Sequence, residues 1–277
     1  MTATSPSSFS NIDGTIVLAG AGKMGGALLE GWLGSGIAAS RVVTLDPFPS
    51  DDIRVLTAKG LRLNPPSGDV GNVAALVLAV KPQMFGEAAP QLKSLLTPST
   101  LVVSIMAGVT IAGIAGACGG AVVRAMPNTP AAIGRGITVA VPATSVTTAQ
   151  REFSDGLLRA AGKVEWISDE ALMDAVTAVS GSGPAYVFLL AEELARAGVA
   201  AGLPADLAMR LARETVAGSG ELLHRSDLDA ATLRKNVTSP GGTTAAALDV
   251  LMSNDGLGPL MTRAVAAATR RSKELAK

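Results

Sequence analysis

The sequence is short of the side chains on which much enzyme chemistry depends. Its 277 residues include one cysteine, one histidine and only 3% aromatic residues. A single cysteine, Cys118, excludes an intrachain disulfide framework, and a single histidine, His224, excludes a histidine-rich metal site. We interpret Cys118 as a packing residue and His224 as a helix C-terminal cap or a surface residue. No metal site is therefore predicted, and catalysis has to rest on other groups.

An excess of charge of either sign is also lacking. Lys and Arg total 23 and so do Asp and Glu, which favours neither nucleic acid nor an anionic membrane as a partner. No charged residue lies between Lys93 and Arg124, and this stretch is long enough to cross a bilayer. Its prolines and glycines instead predict a strand, a loop, a short helix and a second strand. The polar segment Met1–Asp13 is typical of a frayed tail rather than a signal peptide, so we predict a cytoplasmic protein without a membrane partner.

The chain is long enough for about two domains, and its first part alternates apolar, β-rich runs with segments of helical length. This alternation predicts an α/β fold, a Rossmann-like doubly wound sheet covered by helices, over residues 1–167. The predicted strands are Thr15–Ala19, Val42–Leu45, Ala75–Val80, Leu101–Ile105, Ala121–Ala125, Gly136–Val141 and Lys163–Trp166. The predicted helices are Met24–Leu33, Asp51–Lys59, Met84–Leu95, Thr110–Ala117 and Thr148–Ala161.

From residue 168 onward the strand pattern stops, and we predict an all-α domain over residues 168–277. Its predicted helices are Asp169–Val179, Pro184–Ala201, Pro204–His224, Ala230–Lys235, Thr244–Met252 and Leu257–Leu275. Some of these helices are apolar on more than one face, and such a helix has to bury both faces. We therefore predict a homo-oligomer that associates through the helical domain.

A GxGxxG sequence joins the first predicted strand to the first predicted helix. Gly20 permits the tight turn, Gly22 lets a pyrophosphate approach the backbone, and Gly25 lets the helix pack on the strand. The free N–H groups where the helix starts, at Lys23 and Met24, provide an anion site. Because the motif lies at the first strand–helix junction of the predicted sheet, it predicts dinucleotide binding rather than a structural turn.

The second predicted strand is followed by Asp46, where the adenosine ribose of a dinucleotide is expected. A carboxylate there accepts hydrogen bonds from ribose hydroxyls and repels a 2′-phosphate. Asp51 and Asp52 add to this repulsion, and the nearest downstream base is Arg54. Asp46 therefore favours NADH over NADPH, whereas the alternative is that it only caps the turn before Pro47.

Three further segments lie where strand ends of a doubly wound sheet meet ligands. They are Val80-Lys81-Pro82-Gln83, Met106-Ala107-Gly108 and Met126-Pro127-Asn128-Thr129-Pro130. From them we assign to the cofactor Val80, Lys81, Pro82, Ala107, Gly108 and Asn128. Lys81 is equally well explained as a surface charge. Pro127 and Pro130 stiffen the loop around Asn128, which suits the positioning of a flat nicotinamide ring.

Two glycine-rich segments mark the helical part. The first, Ser180-Gly181-Ser182-Gly183-Pro184, joins two predicted helices and lets their backbones approach closely. The second, Ser239-Pro240-Gly241-Gly242-Thr243-Thr244, opens a helix, and its small residues leave N–H groups free to receive a carboxylate. The alternative is a plain helix cap, but two glycines and two hydroxyls exceed what a cap requires. We predict ligand binding at this helix start.

These motifs resemble those of one known family. The GAGKMG loop, the AVKP and MPNTP segments, the SGSGPAY hinge and NVTSPGGTT are similar, in order and spacing, to those of pyrroline-5-carboxylate reductase. The resemblance implies an NAD(P)H-dependent oxidoreductase that reduces L-1-pyrroline-5-carboxylate to L-proline, the last step of proline biosynthesis. It also implies a homodimer with interlocked helices. The cofactor stays open between NADPH, which the family often uses, and NADH, which Asp46 favours.

The resemblance also makes sense of the scarce catalytic side chains. A cyclic imine can carry its own proton as an iminium, so that hydride transfer depends mainly on alignment and electrostatic stabilisation. We expect the hydroxyl of Thr244, the catalytic residue, to hydrogen-bond the ring nitrogen. The substrate carboxylate is expected on Ser239, Gly241, Gly242 and Thr243.

One departure from the family and two other functions have to be considered. The family commonly has a cofactor-binding asparagine after the third strand, but this segment here is Asn64-Pro65-Pro66-Ser67, and we assign no contact to it. A β-hydroxyacid dehydrogenase needs a lysine on a helix after a glycine-rich segment, yet none occurs between Lys163 and Lys235. A non-catalytic nucleotide sensor is compatible with the fold, and an assay for nicotinamide oxidation would separate it from an enzyme.

Overall fold

The structure, a computed structural model, describes residues 14–275, so the predicted tail Met1–Asp13 lies outside the described residues. Contacts between Cα atoms divide the chain into two units. We call residues 14–181 together with 269–275 the sheet unit, and residues 182–268 the helical unit. The division follows Gly181, whereas the predicted domain boundary at residue 168 stays a prediction.

The sheet unit is built on one sheet of eight strands. They are β1 (Thr15–Ala19), β2 (Val42–Leu45), β3 (Arg62–Leu63), β4 (Val73–Leu78), β5 (Leu101–Ser104), β6 (Ala121–Met126), β7 (Gly136–Pro142) and β8 (Gly162–Trp166). Their spatial order is β3-β2-β1-β4-β5-β6-β7-β8. All pairs from β3 to β6 are parallel. This is the order of a doubly wound nucleotide-binding sheet.

Helices cover both faces of this sheet. They are α1 (Lys23–Gly34), α2 (Asp51–Val55), α3 (Phe85–Lys93), α4 (Ile111–Cys118), α5 (Thr148–Arg159) and α6 (Met173–Val176). Because side chains alternate along a strand, β1 contributes Ile16 and Leu18 to one core cluster and Val17 to the other. Helices α1, α2 and α5 pack on the first face, and α3 and α4 pack on the second. The predicted fold class is confirmed.

The last two strands run against the rest of the sheet. β7 pairs with β6 in antiparallel orientation, and β8 is parallel to β7. Between β6 and β7 the chain forms only a short 3₁₀-helix, Thr129–Ile133. A parallel connection needs a crossover of about a dozen residues or more, usually a helix. The short link therefore forces the reversal.

Several predicted elements differ in extent or type from the observed ones. The charge-free stretch forms the expected strand, loop, helix and strand as β5, α4 and β6. The segment predicted as a helix over Asp169–Val179 is helical, but only Met173–Val176 of it is α-helix. That segment forms a 3₁₀-helix at Glu170–Leu172, then α6, then a π-helical turn at Thr177–Gly181. The predicted helix Asp51–Lys59 likewise ends at Val55 and continues as 3₁₀-helix.

The helical unit has little core of its own. Its helices are α7 (Gly183–Ala200), α8 (Ala205–Arg225), α9 (Ala230–Asn236), α10 (Thr243–Leu251) and the first part of α11 (Leu257–Leu275). Helices α7 and α8 approach closely, since a β-carbon added at Gly198 would lie 3.2 Å from that of Ala208. Across residues 14–275, no helix is both long and apolar enough to span a membrane.

Candidate functional site

The glycine turn after β1 has the backbone geometry that close phosphate approach requires. Gly20 has φ +90°, and an added β-carbon would lie 2.8 Å from the carbonyl of Ala79. A β-carbon at Gly25 would overlap the carbonyl oxygen of Gly20, so α1 can pack on the turn only with glycine there. Gly22, in contrast, has no atom within 4 Å of an added β-carbon. The open space is therefore on the Gly22 side.

The start of α1, next to Gly22, offers N–H donors without a helical acceptor. The N-cap residue of α1 is Gly22, so no side chain at this position accepts a hydrogen bond from the first turn. The first turn also contains no acidic residue. The first helical hydrogen bond runs from Gly26 N to Gly22 O at 2.7 Å. The N–H groups of Lys23, Met24 and Gly25 consequently have no helical acceptor. Such a helix end is an anion site, and these residues fit a pyrophosphate.

Asp46, at the end of β2, accepts two backbone hydrogen bonds through its carboxylate. Oδ2 accepts from Ala21 N at 2.7 Å, and Oδ1 accepts from Phe48 N at 2.8 Å. The second bond is the turn cap that the sequence left as an alternative, whereas the first ties the carboxylate to the glycine turn. Each oxygen keeps further acceptor capacity, so ribose hydroxyls can still bind.

Asn64, to which we assigned no cofactor contact from the sequence, makes two hydrogen bonds with the backbone of Asp46. Its Oδ1 accepts from Asp46 N at 2.8 Å, and its Nδ2 donates to Asp46 O at 2.7 Å. No local sequence signal links two residues that are 18 positions apart; the strand order β3-β2-β1 brings them together.

The strand ends that precede the three other predicted segments lie along one edge of the sheet. Leu78 of β4 is in register with Ala19 of β1 and with Ser104 of β5. Ser104 is in register with Arg124, near the end of β6. The segments after these strands therefore start at the edge that carries the glycine turn, as ligand binding in a doubly wound sheet requires.

The predicted cofactor residues of these segments differ in exposure and bonding. Lys81 and Ala107 are exposed, whereas Val80, Pro82 and Asn128 are half-buried. Gly108 is buried with φ +75°. The Oδ1 atom of Asn128 accepts from Ile137 N at 2.9 Å, which leaves its amide NH₂ group for a ligand. Their contacts with a cofactor stay a prediction.

A partly buried ion pair, which could not be predicted from the sequence, supports this edge. Arg124 is 5% exposed, and its Nη1 atom lies 2.8 Å from Oε1 of Glu170. The same carboxylate oxygen accepts from Ile111 N at 2.8 Å. Glu170 therefore connects β6 to the start of α4, close to the segment that carries Gly108.

In the helical unit, the start of α10 resembles the start of α1. Gly241 has φ +68°, and the N-cap Gly242 makes no side-chain cap. The hydroxyls of Thr243 and Thr244 have no hydrogen-bond partner among residues 14–275, and the first is exposed while the second is half-buried. Free N–H groups and hydroxyls thus meet at one helix end, which can receive a carboxylate. The roles of Ser239 and its neighbours stay a prediction.

The scarce reactive side chains lie elsewhere. His224 is exposed in the last turn of α8. Cys118 belongs to the second core cluster, and burial raises the pKa of its thiol, an effect that Lys93 partly offsets. The packing role of Cys118 is confirmed. Within residues 14–275, no three His, Cys, Asp or Glu side chains lie close enough together to hold a metal ion.

Comparison with known proteins agrees with this geometry. Residues 170–275 match the family model described as pyrroline-5-carboxylate reductase dimerisation. Residues 15–108 match the model described as NADP oxidoreductase, coenzyme F420-dependent. The chain is 38% identical to the pyrroline-5-carboxylate reductase of Pseudomonas aeruginosa over 265 residues, which covers 95% of this chain and 97% of the relative.

Solved structures show the same similarity. A pyrroline-5-carboxylate reductase from Coxiella burnetii superposes with a TM-score of 0.87 at 33% identity, covering 95% of this chain and 99% of that one. The Plasmodium falciparum pyrroline carboxylate reductase, solved with NADP bound, gives 0.79 at 30% identity, covering 96% and 99%. The resemblance stated from the motifs is confirmed: the chain belongs to the pyrroline-5-carboxylate reductase family of NAD(P)H-dependent oxidoreductases.

Proposed function

We propose that this chain reduces L-1-pyrroline-5-carboxylate to L-proline with a reduced nicotinamide dinucleotide. The observation that carries the proposal is the similarity to reductases of this name along nearly the whole chain. The two uncapped helix starts, one in each unit, support it because the reaction needs one site for a diphosphate and one for a carboxylate.

The glycine turn is proposed to hold the diphosphate. The N–H groups of Lys23, Met24 and Gly25 at the start of α1 have no helical acceptor, and a β-carbon added at Gly22 meets nothing within 4 Å. Asp46 is proposed to accept the ribose hydroxyls. In the other segments, Val80, Lys81 and Pro82 are proposed to line the adenosine side, and Ala107, Gly108 and Asn128 the nicotinamide side.

The start of α10 is proposed to hold the substrate. Ser239, Gly241 and Thr243 supply N–H and hydroxyl groups for its carboxylate, whereas the N–H of Gly242 donates to Ser239 O at 3.0 Å and so shapes the turn. The dipole of the nine-residue helix adds to the attraction. Thr244, one position further into the helix, supplies a hydroxyl for the ring nitrogen. One helix turn thus fixes the ring at two points.

The chemistry then needs no acidic or basic side chain. When bound, the cofactor supplies a hydride from its nicotinamide ring. The iminium carbon receives this hydride, and the C=N π electrons become a lone pair on nitrogen, which already carries its proton. The hydroxyl of Thr244 hydrogen-bonds this nitrogen and so determines which face of the ring is presented. The protein contributes orientation and electrostatic stabilisation, which are large effects in enzymes.

For the finer identity of the cofactor, we propose NADH. Asp46 would lie beside a 2′-phosphate, and Asp51 and Asp52 open the following helix. The family match and the NADP-bound relative show that a nicotinamide cofactor fits this family. The competing expectation is NADPH, which the family often uses. Comparing the two cofactors in one assay decides between them.

We also propose that the helical unit forms a homodimer. Many of its large apolar side chains are exposed; Phe188, for example, is 62% exposed and Leu190 is 53% exposed. The matched dimerisation model covers this region. The cytoplasmic location stays a prediction.

Substitution of Thr244 tests the proposed mechanism. For Thr244→Ala, we expect kcat to fall about 10- to 100-fold, the loss of one hydrogen bond to a charged group, while the KM for the cofactor stays unchanged. Thr244→Ser keeps the hydroxyl and should retain most of the activity. The reaction is followed by the absorbance of the reduced nicotinamide. Unchanged turnover in Thr244→Ala would remove this residue from the mechanism, and a wild-type protein without activity would contradict the proposed function.

A further inference from the structure

The end of β2 is held by a side chain from the end of β3. Asn64 satisfies both backbone groups of Asp46, accepting from its N–H at 2.8 Å and donating to its carbonyl at 2.7 Å. Asn64 is itself fixed, because its own N–H donates to Thr44 O at 2.9 Å. β3 ends at Leu63, so the amide takes over where the backbone ladder stops.

The conformation of Asn64 shows that this contact has a structural cost. Its φ is +48°, and no other non-glycine residue in the described range has a positive φ. Asparagine tolerates the left-handed region better than most residues. A residue kept in that region indicates that the surrounding structure requires the arrangement. Here the requirement is an amide aimed back at Asp46.

The carboxylate of Asp46 is held from two other directions. The N–H of Ala21, in the glycine turn, lies 2.7 Å from Oδ2, and that of Phe48 lies 2.8 Å from Oδ1. To rotate away from an incoming group, the side chain has to break both bonds. Asp46 is therefore fixed at its backbone and at its carboxylate.

A fixed carboxylate discriminates better than a mobile one. A mobile aspartate can turn into solvent and admit a 2′-phosphate, whereas a held one keeps its charge at the ribose. The same fixed oxygens are placed in advance for ribose hydroxyls, which reduces the entropy lost on binding. We propose that Asn64 is a positioning residue for cofactor choice, which holds Asp46 so that NADH is accepted and NADPH is rejected. This inference rests on the proposed function, since it needs a nicotinamide dinucleotide at the glycine turn.

The deciding experiment removes the amide and keeps the backbone conformation. Asn64→Gly tolerates φ +48° and loses both bonds to Asp46, and Asn64→Ala is a second variant. Asn72→Ala is the matched control, because Asn72 is exposed and its side chain makes no hydrogen bond among residues 14–275. For each protein, the Kd of NADH and of NADPH is measured by calorimetry, and kcat/KM is measured with both cofactors.

We expect wild type and Asn72→Ala to prefer NADH. In both Asn64 variants, the ratio of the two Kd values should shift toward NADPH by about tenfold, as expected for loss of one or two hydrogen bonds. The KM for the imine should not change. Asp46→Asn should shift the ratio at least as far. Adding Asn64→Gly to Asp46→Asn should then change little, because the two residues act through one charge.

The outcomes separate this inference from the proposed function. If the wild type turns over but Asn64→Gly keeps its cofactor ratio, Asn64 is not a positioning residue. Wild-type preference for NADPH would also overturn the inference while leaving the reductase intact. Failure of the wild type to bind either dinucleotide would overturn the proposed function, and the inference with it.

Discussion

The two units of this chain use apolar side chains in opposite ways. In the sheet unit, large residues such as Trp32, Leu28 and Leu157 are fully buried between helices and strands. In the helical unit, the only buried apolar residues among those described are Ala195, Ala208 and Ala212, while most of the large apolar side chains are exposed.

The sheet unit thus has a hydrophobic core formed by a single chain, whereas the helical unit leaves most of its large apolar side chains unburied within one chain. Small residues hold α7 against α8, but the outer faces of both helices stay apolar. Contiguous exposed apolar surface of this kind marks an association site. The stability of the helical unit should therefore depend on protein concentration, whereas the core of the sheet unit is complete within each chain.

The largest expected effect comes from placing a charge on the helical unit. Phe188→Glu would bury an unpaired carboxylate in the proposed interface, which costs several kcal/mol. We expect the mass measured by light scattering to fall to that of a monomer, with loss of reductase activity. Val55→Glu is the control, because Val55 is 65% exposed but lies on α2 of the sheet unit. A variant Phe188→Glu of unchanged mass would contradict the comparison.

A smaller effect is expected from opening the core of the sheet unit. Trp32 is fully buried, and its Nε1 atom donates to Leu157 O at 2.8 Å. Trp32→Ala should lower the free energy of unfolding by about 3–5 kcal/mol, measured by urea titration. The comparison in the helical unit is made in the Phe188→Glu protein, which we expect to be a monomer. There, Leu222→Ala should lower the free energy of unfolding by less than about 0.5 kcal/mol, because that side chain is 56% exposed. Equal losses for the two substitutions would remove the distinction between the units.

The smallest effect concerns helix caps. Asp229 caps α9, where hydrogen bonds from the backbone N–H and then the hydroxyl of Thr232 lower the pKa of its carboxyl. Its stabilisation is complete above the unfolded pKa of about 3.9 and is lost as the pH falls through the lower folded value. Amide exchange at Thr232 should therefore quicken at acid pH, corrected for the intrinsic rate.

The control for this prediction is in the sheet unit. α5 is capped by Thr147, whose hydroxyl accepts from Gln150 N and carries no charge. Exchange at Gln150 should show no such additional acid dependence. If Asp229→Asn leaves the acid dependence of amide exchange at Thr232 unchanged, the charge of Asp229 is not its cause and the prediction is wrong.

The sequence predicts those elements that have a strong local pattern. β1 and β2 have the predicted bounds because both are short apolar runs with turn residues at their ends. β3 has no such pattern: it consists of Arg62 and Leu63 at the edge of the sheet. The reversal of β7 depends on a connection too short for a crossover, which apolar periodicity does not reveal.

The site shows the same division. The glycine turn and the start of α10 could be predicted, because free N–H groups at a helix start follow from small residues nearby. The contacts of Asp46 could not, since Ala21 and Asn64 are distant in sequence and meet it only through the strand order. The Arg124–Glu170 pair escaped prediction for the same reason.

The last helix connects the units in an unusual way. α11 begins in the helical unit, but residues 269–275 belong to the sheet unit, where the hydroxyl of Ser272 donates to Asp174 at 2.6 Å. In topological terms, the helical unit is an insertion into the other one. During synthesis, the sheet unit is therefore complete only after residues 269–275 have been added. Separating the two therefore calls for joining residue 181 to residue 269 rather than for shortening the chain.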